Sequence, residues 1–214
     1  MTKEGFKFLI PTLFISLVLF ALWAYRPEVL TLSFAAIFFL LSLFLAFFFR
    51  DPERKVPDGE NLILSSADGK IISVKPFDNL NFVGEKGTLV SVFMSVFNVH
   101  VNRAPVSGKV EYFKYNTGKF HPAFKDKASS ENEQTELGLE NKRGKIILKQ
   151  IAGIIARRIV CKVKPGDSVR AGQRFGMIKF GSRVDLFLPE NVEIKVELNQ
   201  RVKAGETVIG IFKK

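Results

Sequence analysis

Four phrases of the sequence carry residue types that do chemistry. Phe180-Gly181-Ser182-Arg183-Val184-Asp185 puts a hydroxyl directly after a glycine, between two apolar runs. Asn98-Val-His-Val-Asn-Arg103 puts His100 near the glycine turn at Gly108, and Ser65-Ser-Ala-Asp68-Gly69 puts a carboxylate in a turn. The segment from His121 to Glu133 is polar and interrupts the surrounding pattern. A hydroxyl, an imidazole and a carboxylate are parts from which nucleophilic and acid–base catalysis is assembled. Singly, each has a plainer role. Gly-Ser and Asp-Gly pairs are common in turns, and a histidine in an apolar β run is commonly a core residue. The one cysteine, Cys161, excludes an intramolecular disulfide and an all-cysteine metal site, and two histidines exclude a three-histidine zinc site. No metal site is expected.

The elements that must position these groups read as β. From Asn61 onward, short β-branched and aromatic runs are punctuated by glycine: Lys70–Val74, Leu89–Met94, Lys145–Lys149, Arg158–Val163, Val192–Leu198 and Thr207–Phe212. The run Val192–Leu198 alternates and predicts a strand with one buried face. A short helix is expected between Lys127 and Leu137. A phrase V-K-x-G-[DE]-x-V occurs twice, at Val163–Val169 and Val202–Val208, with relatives at Ala104–Val110 and Ala67–Ile72. Each glycine is read as a tight turn. Such phrases mark a mostly β, barrel-sandwich hybrid fold of the lipoyl/biotinyl kind, which by itself says nothing of function.

Ahead of this domain stand two runs without a charge: 18 residues from Phe8 to Tyr25 and 21 from Val29 to Phe49, separated by Arg26-Pro27-Glu28. A bilayer core needs about 20 apolar residues of helix, so residues 1–50 read as a transmembrane hairpin with spans near 8–25 and 29–49. Trp23 and Tyr25 suit an interface. Pro11 falls early in the first run, where it costs a helix least. A cleaved signal peptide is disfavoured because a second apolar run follows at once. A re-entrant hairpin is the closer alternative. Lys3 and Lys7 before the hairpin, and Arg50, Arg54 and Lys55 after it, place both ends on the cytoplasmic side of the cell membrane. Residues 51–214 hold 28 of the 32 basic and 19 of the 21 acidic residues, a net of +9, which suits anionic headgroups.

Taken together, the hairpin, Phe49-Arg-Asp-Pro-Glu-Arg54, Ala67-Asp-Gly-Lys70, Val99-His-Val-Asn-Arg103, His121–Glu133, Ala152-Gly-Ile-Ile-Ala-Arg-Arg158 and Phe180-Gly-Ser-Arg183 resemble the phosphatidylserine decarboxylase family in its short, membrane-anchored form. The resemblance implies a proenzyme that cuts itself between Gly181 and Ser182. It gives a large chain, 1–181, and a small chain, 182–214, that stay together as a heterodimer, with a higher oligomer possible. Ser182 would become a covalent pyruvoyl group that forms a Schiff base with a serine phospholipid, releasing CO2 and phosphatidylethanolamine. The family's Ser-His-Asp arrangement maps onto Ser182, His100 and Asp68, with Asp68 orienting the imidazole and His100 also the leading acid for reprotonation. Substrate contacts fall on Arg103, His121, Asn132, Glu133 and Arg183. Arg50, Arg54, Lys55, Arg157, Arg158 and Arg183 would form a basic surface for phosphate and carboxylate groups. Two departures stand out: Arg103 replaces a second histidine of the longer bacterial form, and Asn132-Glu133-Gln134 stands for the family's Asn-Glu-Arg.

The alternative is a membrane-tethered lipoyl-like adaptor or carrier that is never cut. Met177-Ile178-Lys179 is a faint biotinyl-lysine match without its second methionine. Nucleic acid is the least suited partner, because two apolar spans come without an aromatic-rich basic recognition phrase.

Overall fold

The computed structural model describes residues 1–125, 127–154, 158–179 and 181–213. Arg157, Phe180 and the terminal Lys214 of the expected small chain lie outside the described residues. The chain divides into two compact units, 1–53 and 54–214.

The first unit is a helical hairpin, α1 (Lys3–Tyr25) and α2 (Val29–Phe48). α1 begins five residues before the expected span because Thr2 caps it, its Oγ1 accepting from Gly5 N at 3.3 Å. Pro11 therefore lies inside the helix and not in its first turn. The helices are held by small polar groups. Ser16 Oγ donates to the Ala35 carbonyl at 3.0 Å and Ser42 Oγ to Thr12 Oγ1 at 3.1 Å. Hydroxyl bonds of this kind join helices in lipid, where apolar contact alone gives no drive to associate. Twenty residues at 1.5 Å each span about 30 Å, and both helices are long and apolar enough to cross a membrane.

The second unit is mostly β. Its strands are β1 (Leu62–Leu64), β2 (Gly69–Leu80), β3 (Gly84–Met94), β4 (Val101–Arg103), β5 (Gly108–Asn116), β6 (Gln134–Asn141), β7 (Gly144–Ala152), β8 (Ile159–Cys161), β9 (Ser168–Val169), β10 (Arg174–Ile178), β11 (Ser182–Pro189), β12 (Val192–Ile194), β13 (Arg201–Val202) and β14 (Val208–Phe212). A one-turn helix, α3 (Ala128–Glu131), precedes β6. A curled antiparallel sheet runs β13-β2-β3-β11-β7-β6-β5-β9, and two three-stranded sheets run β1-β14-β12 and β4-β10-β8. The core joins the inner face of the large sheet to the small sheets: Val90, Val92, Leu148, Val184, Leu186 and Leu188 with Ile63, Phe175, Ile209 and Phe212. A second cluster, Val83, Leu89, Ile147 and Phe187, lies on the outer face.

The repeated glycine phrases divide in two. Gly166 (φ +93°) and Gly205 (φ +73°) are left-handed turn residues, as expected. Gly69 and Gly108 are not. A Cβ there would collide with the carbonyl oxygens of Phe93 and Glu140, so these glycines allow close backbone approach instead. The expected strand Val192–Leu198 keeps its buried face through Val196, but the regular strand ends at Ile194, Lys195 N makes a last bond to the Ile209 carbonyl, and Leu198 turns outward.

Candidate active site

β11 fixes the serine. It lies between β3 and β7, and its first residue, Ser182, pairs with Met94 on one side and Ala152 on the other. Alternation sends Ser182 toward the inner face with Val184 and Leu186. Its hydroxyl is fully buried and has no hydrogen-bond partner among the described residues. Such a group costs about 1–3 kcal/mol and draws attention to itself. The peptide bond before it is unusual as well. Gly181 adopts φ +59°, and Gly153 lies so close that a Cβ on it would overlap the Gly181 carbonyl oxygen. Two glycines thus shape one carbonyl.

His100 is fully buried. Its Nδ1 lies 2.9 Å from the Asn98 carbonyl, and because a carbonyl only accepts, this contact calls for a proton on Nδ1, which in the neutral imidazole leaves the lone pair on Nε2. The His100 carbonyl accepts from Ile178 N at 3.3 Å, which sets the histidine beside the strand leading to Gly181. Asp68 accepts from Ala204 N at 2.8 Å on Oδ1 and from Arg54 Nη2 at 2.6 Å on Oδ2. The group seen on the imidazole Nδ1 is thus a backbone carbonyl, and the carboxylate is gripped by Arg54.

The other expected site residues are placed as follows. Arg54 is no surface cation: its side chain is 8% exposed, bonded to Asp68 and 3.6 Å from Glu206. Arg183 is also buried, its Nε donating to Asp185 Oδ1 and its Nη2 to Ser91 Oγ at 2.8 Å. The reason is alternation. One residue beyond Ser182, the side chain points to the outer face, where Ser129 of α3 donates to Asp185 Oδ2 at 2.6 Å. Arg103 is buried and donates from Nη1 to the Gly172 carbonyl at 3.0 Å. Asn132 uses its amide on backbone, accepting from His121 N and donating to the His121 and Ala152 carbonyls at 2.7–2.8 Å. It ties the polar segment to the strand beside Ser182. His121 Nε2 meets Glu131 at 3.0 Å on a half-exposed surface. Hydrogen bonds from Lys119 and then His121 hold the Glu131 carboxyl below its ordinary range. Glu133 exchanges backbone bonds with Lys119 and Ala152. Lys55 and Arg158 are exposed, while Arg50 stacks over the Phe47 ring within the hairpin.

One buried polar chain has no counterpart in the sequence reading. Thr135 Oγ1 donates to Gln150 Oε1, and Gln150 Nε2 to Asn102 Oδ1, both at 2.8 Å. Asn102 in turn reaches the Ser66 carbonyl and the sulfur of Met94, the residue paired with Ser182. The available signal was Gln150, a lone amide inside the apolar run Ile146–Ala152. Met177 and Ile178 are buried in β10, whereas a carrier lysine must stand at an exposed turn.

A sequence profile described as phosphatidylserine decarboxylase matches residues 41–210. The phosphatidylserine decarboxylase proenzyme of Chlorobium phaeobacteroides strain BS1 is 46% identical over 205 residues, 96% of each chain. That of Chlorobium limicola is 50% identical over 186 residues, covering 87% of this chain and 85% of its own. That of Desulfotalea psychrophila is 44% identical over 209 residues, covering 97% and 94%.

Proposed function

The chain belongs to the phosphatidylserine decarboxylase family and is a lyase of phospholipid biosynthesis, and from that premise we propose that its chemistry begins at the Gly181–Ser182 peptide bond. The observation that carries this reading is the buried, unpartnered Ser182 hydroxyl beside a left-handed glycine. Ser182 Oγ adds to the Gly181 carbonyl carbon, the C–N bond breaks, and the peptide becomes an ester. A serine hydroxyl is a weak nucleophile without a base, and His100, with its lone pair on Nε2, takes the proton. Loss of the Ser182 Cα proton then expels the Gly181 carboxylate, which becomes the end of chain 1–181. The dehydroalanine left on chain 182–214 takes up water and loses ammonia to give a pyruvoyl terminus.

The residues present fit that group. β11 is hydrogen-bonded on both sides, so the new terminus stays where it forms, and β14 stays between β1 and β12. When formed, the pyruvoyl ketone supplies an electron sink for the substrate amine as CO2 leaves. His100 is the proton donor to the carbon that loses CO2, and Asp68, anchored by Arg54, fixes the turn beside it. The substrate is a serine phospholipid. In this reading the β domain lies on the cytoplasmic side of the membrane, supported by the basic residues that flank the hairpin.

Intact-mass measurement of protein purified from membranes tests the reading. Two chains are expected, the smaller of 33 residues from Ser182 with a ketone at its N-terminus, together with CO2 release from serine phospholipid. A single 24.1 kDa chain without CO2 release overturns it. His100→Ala is expected to slow cutting; normal cutting with lost turnover would confine His100 to the second reaction.

A further inference from the structure

A cavity of about 530 Å³ opens at the end of β3 and holds three cations that the reaction as described does not use. Its lining includes Lys70 of β2, Arg201 of β13 and Lys203 just after it, with Phe93 and Phe97 as apolar wall. Lys70 and Arg201 stand directly opposite in the β2–β13 ladder. Like charges in that position repel and destabilise the pair unless an anion joins them. Among the described residues neither has an acidic partner. Lys203 reaches Glu206 only at 3.9 Å, and that carboxylate is already shared with Arg54. Among the described residues the one carboxylate in the lining, Asp68, is held by Arg54 as well. The cavity thus combines unneutralised positive charge with aromatic surface, Phe93 being the cross-strand partner of Lys70.

Lys70, Arg201 and Phe93 stand in one cross-strand row with Arg183, on the face opposite the Ser182 hydroxyl, and the cavity meets the reacting bond through the turn that follows Met94 at the end of the sheet. Met94, the partner of Ser182, leads straight into the turn Ser95–Asn98. That turn is closed by Asn98 Oδ1, which accepts from Ser95 N at 2.9 Å and Ser95 Oγ at 2.8 Å. Ser95 and Asn98 line the cavity, and the Asn98 carbonyl holds His100 Nδ1. A ligand in the cavity therefore sits one turn from the proposed base.

We infer that this cavity binds the phosphodiester of the serine lipid, with Lys70, Arg201 and Lys203 as its cationic wall. Ammonium and guanidinium groups are suited to phosphate oxygens, and the volume suits a small headgroup. The inference rests on the decarboxylase reading for its ligand. It also predicts that the binding site is completed by both chains after cutting, since Lys70 lies before Ser182 and Arg201 and Lys203 after it.

Two measurements test it. The first compares the wild type with Lys70→Gln/Arg201→Gln in mixed micelles, varying phosphatidylserine while phosphatidylglycerol keeps the surface charge constant. Both side chains are exposed, so folding and self-cutting are expected to proceed. The expected result is a rise in KM of about tenfold against a change in kcat of less than about threefold, with Lys70→Arg restoring wild-type behaviour. The second titrates glycerophosphoserine into the uncut Ser182→Ala chain, with and without the double substitution. Binding that disappears with the cations is expected. An unchanged KM together with unchanged binding overturns the inference. So does a KM effect present only when phosphatidylglycerol is replaced by neutral lipid, since that is attraction to the surface. Absence of CO2 release by the wild type, with cation-dependent binding intact, would remove the decarboxylase reading and leave the phosphodiester site standing.

Discussion

Ser182 and Arg183 are neighbours in one strand, both 1% exposed or less, and the structure treats them in opposite ways. The hydroxyl faces the inner side with no partner among the described residues. The guanidinium faces the outer side, bonded to Asp185 and Ser91, and Asp185 is bonded again by Ser129. A buried polar group without a partner is unfavourable, and a buried ion pair is tolerable only when its remaining hydrogen-bonding capacity is filled. The strand thus has an outer face built for holding and an inner face left open for reaction. β11 is fixed so firmly from one side that the other can keep a reactive atom unengaged.

Removing the open group should have the largest effect on function and the least on stability. Ser182→Ala deletes the nucleophile, so cutting and CO2 release are expected to fall by more than about a thousandfold. Denaturant unfolding should show a stability equal to the uncut wild-type chain or higher by about 1 kcal/mol, because no unsatisfied hydroxyl remains. A Ser182→Ala protein that still cut would erase the distinction between the two faces.

The reverse change breaks the holding face. Asp185→Ala leaves Arg183 buried without its carboxylate, for which an expected loss is about 3–5 kcal/mol of stability, read by denaturant unfolding of the uncut Ser182→Ala background. Replacing both partners, as Arg183→Met/Asp185→Leu, should recover much of it, since apolar side chains of similar size can substitute for a buried pair. If Asp185→Ala were as stable as its parent, the outer face would not be what holds the strand.

Between these lies the carbonyl that the two glycines shape. Gly153→Ala would drive a methyl into the Gly181 oxygen and is expected to slow cutting by at least about tenfold, about 1.4 kcal/mol in the barrier. Gly181→Ala meets no atom within 4 Å. It should cost only the left-handed conformation, about 1–2 kcal/mol. Time courses of chain separation on gels would rank them.

How much of this was legible beforehand depended on whether the signal was local. The hairpin was legible because 18 and 21 uncharged residues leave few alternatives, whereas the Gly-Ser pair, common in turns, stood out only through the family resemblance. Arg183 and Arg54 were misplaced on a basic surface because a single arginine in sequence looks like a solvated one. The clue was Asp185, two residues on and so on the same face of a strand. Arg54 had no local clue, since Asp68 is 14 residues away. The same holds for the Thr135–Gln150–Asn102 chain, whose links span 15 and 48 residues. Val192–Leu198 failed in the opposite sense. Its alternation was real, but the ladder with β14 ends at Ile194, followed by one further backbone bond from Lys195 N to the Ile209 carbonyl.

The smallest effect extends the outer face outward along the sheet. Asp185 pairs in register with Lys149, and Lys149 with Glu136, giving alternating charge across β11, β7 and β6. Lys149 Nζ lies 2.8 Å from Glu136 Oε2, and Tyr112 Oη donates to Oε1 at 2.6 Å. Burial pushes the Glu136 carboxyl up, but the hydrogen bonds from Lys149 and Tyr112, with the lysine charge, outweigh it and hold the group below its ordinary range. Burial first, then the bond to Glu136 and its charge, push Tyr112 well above its ordinary value. For a carboxylate depressed by folding, the stabilisation is full above the unfolded pKa of about 4.3 and is lost as pH falls through the lower folded value. For a raised phenol it is full below about 10 and lost as pH rises through the folded value. Glu136→Gln should therefore lower stability at pH 7 by about 1 kcal/mol, discounted for the partial exposure of the pair. It should flatten the acid limb of the stability curve and leave the neutral cutting rate of Ser182 unchanged. Equal acid limbs in Glu136→Gln and wild type would show that this row of charges contributes nothing to holding β11.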